Sequence, residues 1–229
     1  MKTLTCLSLL LGIVGMIAAC TAGAGPADDN DQKETKQGTF RFSKDDLGKV
    51  PKGWTAAKTG SGEGSVWKVV ADDTSPSKTG YVLAQTAESP SALFNLCVAD
   101  DTNGKDVEVS VAMKAVAGNN DQGGGLVWRY QDANNYYVAR YNPLETNYRL
   151  YKVVRGKRVQ LATKEGLDQP AGVWIALKIV QQGDAIRCYL DGKKLLEAKD
   201  GAIPKAGKIG LWTKADAQSR FDNLEVEAR

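Results

Sequence analysis

Thirty residues, GLVWRYQDANNYYVARYNPLETNYRLYKVV at positions 125–154, decide the fold. Within them apolar and polar side chains alternate with a period of two, which is typical of β-strands whose faces meet different environments. Asn, Asp and Pro residues interrupt the alternation twice, so the stretch predicts three consecutive antiparallel strands joined by short loops. The stretch also holds six tyrosines and three arginines, and their purpose depends on how the strands pair.

The turn positions set the predicted register of these strands. Loops at 131–134 and 143–146, followed by a two-residue turn at Arg155 and Gly156, leave one pairing in which the apolar side chains share a face. The predicted opposite pairs are Arg129 with Tyr136, Val127 with Val138, Arg140 with Arg149, Tyr151 with Gln160, and Leu150 with Leu161.

This register separates the side chains into two sets. One set predicts a core face and consists of Leu126, Trp128, Tyr130, Tyr137, Ala139, Tyr141, Tyr148, Leu150, Val159 and Leu161, with Lys152 as its one misfit. The other set, which we call the Arg/Tyr face, consists of Arg129, Tyr136, Arg140, Asn142, Asn147, Arg149, Tyr151, Arg158 and Gln160, among Val127, Val138 and Val153.

Similar segments fill most of the remaining chain. Short alternating runs bounded by Gly, Asn, Asp or Pro recur between residues 65 and 227, and only 43–48 and 164–169 predict short helical turns. A dozen or more short strands without a long amphipathic helix predict an all-β sandwich. Trp174, which begins one of the alternating runs, is predicted to pack inside the sandwich.

Three segments resemble a known family. The runs GVWIALKIVQQGDAIRCYLDGKKLLEAKD (172–200) and KIGLWTKADAQSRFDNLEVEA (208–228) resemble strand pairs of concanavalin A-like jelly rolls. The middle run, DQGGGLVWRYQDANNYYVARYNPLETNYRLYKVVRGKRVQLA (121–162), resembles the bacterial 3-keto-disaccharide hydrolase family within the concanavalin A-like lectin/glucanase superfamily. The resemblance covers most of residues 39–229. It implies a jelly-roll β-sandwich of two antiparallel sheets and a carbohydrate ligand or substrate.

The Arg/Tyr face has a composition that suits a sugar. Tyrosine rings offer flat apolar area with a polar tip, and arginine offers a planar fork of donors for hydroxyl, carboxylate or carbonyl oxygens. Arg140 opposite Arg149 is an unfavourable like-charge pair, which a polar or anionic ligand would relieve. The alternative is an ordinary solvated sheet face, since arginine and tyrosine also form strands well. The predicted substrate-binding residues are Arg129, Tyr136, Arg140, Asn142, Asn147, Arg149, Tyr151 and Gln160.

Whether the chain is an enzyme stays open from sequence. Glycosidases need two carboxylates about 5–9 Å apart, and the E-x-D-x-x-E motif of laminarinase-type relatives is absent. Asp121, Asp132 and Glu145 fall in loops at the rim of the Arg/Tyr face, where each is predicted to be a turn residue.

The family resemblance implies another route, in which a single base removes the acidic proton beside a ketone and an arginine stabilises the enolate. The alternatives are a non-catalytic glycan-binding lipoprotein and a structural envelope protein that binds a protein partner.

Composition excludes several function classes. The chain has no histidine, which rules out a Ser-His-Asp triad and any histidine-ligated metal. The net charge is only +3, and without a basic block or a nucleic-acid motif no nucleic-acid partner is predicted. No cofactor is predicted either. Residues 100–106, DDTNGKD, offer oxygen ligands for calcium but are more typical of a surface turn.

The first 38 residues predict a lipoprotein. Residues 1–19 carry one lysine and then an apolar run too short to span a membrane, as in a secretory signal peptide. The motif IAAC at 17–20 resembles the bacterial lipobox, which implies cleavage before Cys20 and lipid attachment to it. We expect 20–38 to be the lipidated cysteine with a disordered tether, and 39–229 to be the folded domain.

The predicted location follows from this anchor. We expect the protein to be held by its lipid in the bacterial cell envelope, at the outer membrane or the periplasmic face. In such an oxidising compartment a disulfide between Cys97 and Cys188 is allowed, and two buried free cysteines are the alternative.

Overall fold

In the computed structural model, which describes Met1, Thr3 and residues 37–229, the folded part of the chain consists mostly of β-strands. Strands form because every second side chain of the alternating runs can enter a core, while turn residues end each run. The fifteen strands are β1 (Gly38–Phe40), β2 (Trp54–Thr59), β3 (Trp67–Ala71), β4 (Tyr81–Gln85), β5 (Phe94–Gly104), β6 (Val107–Ala117), β7 (Gly124–Asp132), β8 (Asn135–Asn142), β9 (Asn147–Val154), β10 (Lys157–Glu165), β11 (Trp174–Gln182), β12 (Ala185–Leu190), β13 (Lys193–Lys199), β14 (Gly207–Lys214) and β15 (Gln218–Ala228).

One of the two predicted helical turns is present. A 3-10 turn at Lys44–Asp46 is closed by a capping box from Ser43, which satisfies backbone donors at its start. The other predicted turn, at 164–169, is wrong, because β10 continues to Glu165 and irregular chain follows. Apart from Met1 and Thr3, the predicted signal peptide lies outside the described residues, as do Cys20 and nearly all of the predicted tether. No helix within the described part is long and apolar enough to cross a membrane.

The strands form two antiparallel sheets, as predicted. Sheet A has the order β13-β12-β11-β6-β15-β4-β3, with β1 paired to β15, and sheet B has the order β10-β9-β8-β7-β14-β5-β2. The main core lies between the sheets, and its largest side chains include Trp128, Tyr137 and Phe221. Burying each such side chain contributes about 1.5–3 kcal/mol.

Both remaining cysteines belong to this core. Cys97 and Cys188 are buried and free, so the alternative without a disulfide is the one observed. Burial raises the pKa of both thiols well above the usual value, because the thiolate would lose its hydration.

The predicted register of the central strands is largely right. Val127 lies opposite Val138, Arg140 lies opposite Arg149, and Tyr151 lies opposite Gln160. The other two predicted pairs, which involve Arg129 and Leu161, are wrong because each strand contains an irregularity that the alternation does not show.

The first irregularity is a bulge in β7 between the pairs Trp128–Tyr137 and Asp132–Asn135. Arg129 has a φ of 46° there, so its side chain turns away from the position opposite Tyr136. The second irregularity lies in β10, where Ala162 rather than Leu161 pairs with Leu150. Because of the first irregularity, Tyr130 packs against Tyr136 on the other face. Val159 keeps its expected pairing with Lys152, but it is exposed on edge strand β10 and not in the core.

Trp174 does not pack inside the sandwich. The core side chains of β11 are Ile175, Leu177 and Ile179, so Trp174 points to the opposite side, which we call the outer face of sheet A. There its indole nitrogen donates to Thr74 Oγ1 at 3.0 Å, and the Lys114 ammonium lies 4.8 Å from its ring centroid.

Sheet B curls strongly around the face that points away from the main core. The Tyr136 hydroxyl on β8 hydrogen bonds to Thr59 Oγ1 on edge strand β2 at 2.8 Å, although three strands lie between them. In a flat sheet these strands would be about 19 Å apart, at about 4.8 Å for each step. The curled side of sheet B is therefore a concave face whose two margins meet.

Candidate functional site

The concave face of sheet B has an apolar part and a polar part. The apolar part is a second buried cluster, separate from the main core, and it consists of Phe94, Leu96, Val127, Tyr136, Val138, Tyr151, Val153 and Trp212. The polar part lies toward the β6–β7 and β8–β9 loops, and it contains Asp121, Arg140, Asn142, Asn147 and Lys214 with Glu145 and Arg149 at its rim.

Arg140 and Arg149 share one carboxylate. Glu145 Oε2 accepts from Arg140 Nη2 and from Arg149 Nη1, each at 2.8 Å, and Arg140 Nη1 donates to Asn147 Oδ1 at 2.9 Å. Burial alone would raise the pKa of Glu145, but the two arginines and Asn147 outweigh it and lower that pKa to about 2. Glu145 therefore relieves the Arg140–Arg149 repulsion that we expected a ligand to relieve.

A loop that hydrogen bonds to Asp216 places Asp121 on this face. The carboxylate of Asp216, in the β14–β15 turn, accepts from the backbone nitrogens of Asn119, Asn120 and Asp121 at 2.7–3.1 Å. Burial alone would raise the pKa of Asp216, but these three donors outweigh it and hold the pKa below its usual range. The loop at 118–123 thereby turns Asp121 inward, where 2% of the residue is exposed.

The Asp121 carboxylate has two polar partners. Its Oδ1 accepts from Asn142 Nδ2 at 2.9 Å, and its Oδ2 accepts from Lys214 Nζ at 3.2 Å. Burial raises the pKa of Asp121 above its usual value, although the charges of Arg140 and Lys214 oppose this. A carboxylate with a raised pKa is a stronger base than an exposed one, and such groups are common at catalytic sites.

On β7, a glycine lies between Arg140 and Trp212. Gly125 pairs with both of these residues, and a Cβ atom there would lie 2.1 Å from the Ala139 carbonyl oxygen. No larger residue fits without moving the backbone. The floor of the concave face therefore has no side chain between the arginine and the indole.

Three buried donors on this face have no hydrogen-bond partner. They are Arg140 Nε, Arg158 Nη1 and Trp212 Nε1. Buried donors are nearly always satisfied in folded proteins, and an exception needs an explanation such as an absent ligand or water. The concave face therefore has unpaired donors, near the Asp121 carboxylate, that are available to oxygen atoms of a ligand.

Most of the predicted binding residues converge on the concave face. Tyr136, Arg140, Asn142, Asn147 and Tyr151 are buried there, and Arg149 is half-buried at the rim. Gln160 is exposed on edge strand β10. The structure thus brings together six of the eight predicted residues.

Arg129 lies elsewhere, which corrects its predicted position. Its guanidinium nitrogens donate to the carbonyl oxygens of Lys105, Ile203 and Gly183 at 2.7–2.9 Å, and Asp106 lies 3.3 Å away. Burial lowers the pKa of Arg129, although Asp106 opposes the shift. All three nitrogens have partners, so Arg129 links the β5–β6, β11–β12 and β13–β14 connections through hydrogen bonds.

The sequence analysis did not predict that Asp121 and Lys214 belong to this site. Asp121 was expected to be a turn residue, and Lys214 was not singled out. Only the contact with Asp216, which is 95 residues away, turns Asp121 inward, and no local pattern signals such a contact. Asp132 does behave as a turn residue, because its carboxylate accepts from Asn134 N and Asn135 Nδ2.

The described residues contain no group of three or more His, Cys, Asp or Glu side chains arranged for a metal ion. In the segment considered for calcium, Asp100 pairs with Lys208 at 3.1 Å and accepts from Thr55. Asp106 accepts from Arg129 and from Gly183 N. These contacts link the segment to neighbouring strands and loops.

Comparison with known proteins identifies the family. The family model for the 3-keto-alpha-glucoside-1,2-lyase-like domain matches residues 43–227, nearly the whole folded part. The chain belongs to this family. No curated protein sequence matches the chain. The predicted family resemblance is confirmed, and the domain is of the carbohydrate-binding or glycosidase-like type.

Solved structures show the same fold at low sequence identity. The carbohydrate-binding module CBM66 from Bacillus subtilis matches with a TM-score of 0.61 and 20% identity over 77% of this chain and 96% of that one. A Bacillus subtilis protein of unknown function with a galectin-like fold matches with a TM-score of 0.58 and 16% identity over 86% and 100%. The exoplasmic/lumenal domain of VIP36, in its Ca2+/Man-bound form, has a TM-score of 0.54 and 10% identity over 82% and 89%. The predicted jelly-roll sandwich of the concanavalin A-like type is confirmed.

Proposed function

We propose that the protein binds a glycoside on the concave face of sheet B and cleaves a 3-keto-glucoside there by elimination. The observation that carries this proposal is the buried Asp121 carboxylate beside Arg140, whose Nε lacks a partner. A base and an oxyanion stabiliser on one water-poor surface are what abstraction of a proton beside a ketone requires. The family description supports the same reaction class.

The step assigns one task to each group. Asp121 takes the proton from C2 of the 3-keto sugar, and the electron pair of that bond forms an enolate whose oxygen accepts from Arg140 Nε. The enolate then collapses to a C1–C2 double bond while the C1–O bond to the leaving group breaks. The departing oxygen takes the proton back from Asp121. The products are a cyclic enone and an alcohol, and Asp121 returns to its carboxylate form.

Ordinary hydrolysis by two carboxylates fits this face poorly. Glu145 is the second carboxylate nearby, but its Oε2 already accepts from two arginines and Asn147. Its low pKa keeps it ionised at neutral pH, so it cannot act as the general acid that protonates a leaving group. Elimination needs only one proton-transfer group.

The test uses 4-nitrophenyl 3-keto-α-glucoside. We expect the protein to release 4-nitrophenol together with an ultraviolet-absorbing enone, and Asp121→Asn to lose at least about a hundredfold in rate, the usual contribution of a general base. Asp73→Asn is the matched control, because Asp73 is an exposed carboxylate in the β3–β4 loop. Nitrophenol release without an enone would indicate hydrolysis, and equal rates for Asp121→Asn and Asp73→Asn would refute the role of Asp121.

Glycan binding without turnover is the second candidate. It is favoured by the two contacts of Asp121, since both of its carboxylate oxygens already accept hydrogen bonds. It is also in line with the fold of CBM66, a carbohydrate-binding module. Saturable binding of the 3-keto-glucoside with no product after long incubation would select this candidate.

We also propose that the protein acts at the bacterial cell envelope. The support is the sequence of residues 1–20, with its apolar run and the IAAC motif. Cys20→Ser should move the protein from the membrane fraction to the soluble fraction, and the wild-type mature chain should begin at Cys20. Equal membrane retention of the variant, or a mature chain that begins elsewhere, would contradict the anchor.

A further inference from the structure

The aromatic part of the concave face is covered by one charged side chain. Arg158, on edge strand β10, extends over three rings, and its guanidinium carbon lies 4.4 Å from the Tyr151 centroid, 5.0 Å from that of Phe94 and 5.9 Å from that of Trp212. Phe94 and Trp212 pack against each other with centroids 5.3 Å apart. In a flat sheet β10 and β5 would be about 24 Å apart, so the contact depends on the curl of sheet B.

Arg158 is half-buried and has fewer polar partners than the buried Arg129 and Arg140. Arg129 and Arg140 each have a carboxylate within 3.3 Å, whereas no ion pair or hydrogen bond of Arg158 is found within the described part of the chain. Its Nη1 is buried without a partner. The three aromatic rings contact the guanidinium, and the charges of Asp121 and Glu145 attract it from farther away. Exposing the guanidinium to water would satisfy its unpaired donor.

We infer that Phe94, Tyr151 and Trp212 form a stacking subsite for a pyranose ring, which Arg158 occupies in the free protein and leaves when a sugar binds. The inference rests on the proposed function, because it says how the same face takes its sugar. A pyranose has an apolar CH face that fits aromatic rings and hydroxyl groups at its edge that accept hydrogen bonds. With its apolar face on the rings, the sugar edge can accept from Arg140 Nε, a donor that no protein group satisfies.

Competition between Arg158 and the sugar makes an unusual prediction: removing a positively charged side chain from the site should strengthen binding. In wild type, the sugar must displace a cation–π contact before it reaches the rings. Arg158→Ala removes that cost, and we expect the affinity to rise about fivefold, the equivalent of a weak cation–π contact. Phe94→Leu removes one ring at nearly constant volume, and we expect the affinity to fall about fivefold.

The experiment measures binding of methyl 3-keto-α-glucopyranoside by titration calorimetry. All proteins are the full chain with Asp121→Asn, so that turnover does not consume the ligand. Arg158→Ala and Phe94→Leu are compared with Arg187→Ala, which removes an arginine on β12 of sheet A and should leave the affinity unchanged. Saturation-transfer NMR should show transfer mainly to protons on one face of the sugar ring.

The outcomes separate the subsite from the reaction. Equal or weaker binding by Arg158→Ala, or no measurable binding by any variant, would overturn the subsite. Stronger binding by Arg158→Ala would support it, even if the wild-type protein released no nitrophenol and the proposed elimination failed. If Phe94→Leu does not fold, Arg158→Ala decides alone, because the Arg158 side chain is partly exposed and its removal leaves no enclosed cavity.

Discussion

The concave face of sheet B and the outer face of sheet A each bury a carboxylate beside cations, but the pKa values of the two carboxylates shift in opposite directions. On the outer face, Asp72 lies 2.6 Å from Lys114 Nζ and 2.7 Å from Arg220 Nη1, and it also accepts from Thr74. On the concave face, Asp121 has Lys214 at 3.2 Å, and the nearby Arg140 keeps one nitrogen without a partner.

The pKa shifts differ in the same way. Burial would raise the pKa of Asp72, but Lys114, Thr74 and Arg220 outweigh it and hold that pKa far below the usual range. For Asp121 burial prevails, and the pKa is raised. Four donors hold Asp72 in its charged form, whereas Asp121 has one donor on each oxygen and keeps lone pairs that can take up a proton or bind a ligand.

The largest expected effect is a loss of stability, and it tests whether Asp72 stabilises the fold. Asp72→Asn leaves the buried Lys114 ammonium without its anion, and we expect the free energy of unfolding to fall by about 3–5 kcal/mol. Turnover and sugar binding at a temperature where the variant is folded should be unchanged. Urea denaturation measures the loss, with Asp73→Asn, an exposed neighbour, as a control expected within about 0.5 kcal/mol of wild type. If Asp72→Asn also abolished sugar binding, the outer face would be part of the site.

Arg140→Ala is expected to have a smaller effect on stability and a larger one on function. Taken alone, the Arg140–Arg149 repulsion that the sequence indicates would give the variant an unchanged or raised melting temperature. Because Glu145 and Asn147 bind Arg140, we now expect a loss of about 1–3 kcal/mol. Sugar affinity and turnover should fall at least tenfold. An arginine that only supports the fold would lower stability and leave the affinity of the folded protein unchanged.

The sequence predicted the sheets better than it predicted the site. Alternation and turn residues located most of the strands and three of the five register pairs, because both signals are local. The position of Arg129 was missed because a bulge with φ of 46° reverses its side chain, and alternation assumes regular strands. Asp121 was missed as a buried group because its burial depends on Asp216, on a distant turn.

The predicted core position of Trp174 is an error that the strand periodicity could have prevented. Ile175, Leu177 and Ile179 share one phase of β11, and Trp174 has the opposite phase with Lys178. Periodicity therefore predicted the outer face, while the size of the indole favoured the core. The strand phase was the stronger signal, since a one-residue shift moves every side chain to the other face.

Trp174→Ala gives the third expected effect. On the outer face the indole has one hydrogen bond to Thr74 and one cation–π contact with Lys114. We expect a loss of about 1 kcal/mol in the free energy of unfolding, where a core tryptophan would lose about 3–5 kcal/mol. Trp128→Ala, which truncates a fully buried core indole, is the matched comparison. Equal losses for the two variants would mean that Trp174 belongs to the core.

The smallest expected effect separates the two carboxylates of the concave face by pH. The pKa of Glu145 falls from 4.5 to about 2 on folding, so its stabilisation is fully present above pH 4.5 and is lost as the pH falls toward 2. The pKa of Asp121 is raised from 3.8, so its contribution is fully present below pH 3.8 and is lost as the pH rises through the folded value.

Glu145→Gln should therefore flatten the stability curve between about pH 4.5 and 2, and Asp121→Asn should flatten it on the neutral side of pH 3.8. Because Glu145 is partly exposed, its change should stay below about 1 kcal/mol. Urea denaturation at a series of pH values measures both slopes. A common slope change in the two variants would show that Glu145 and Asp121 titrate together and would contradict their separation.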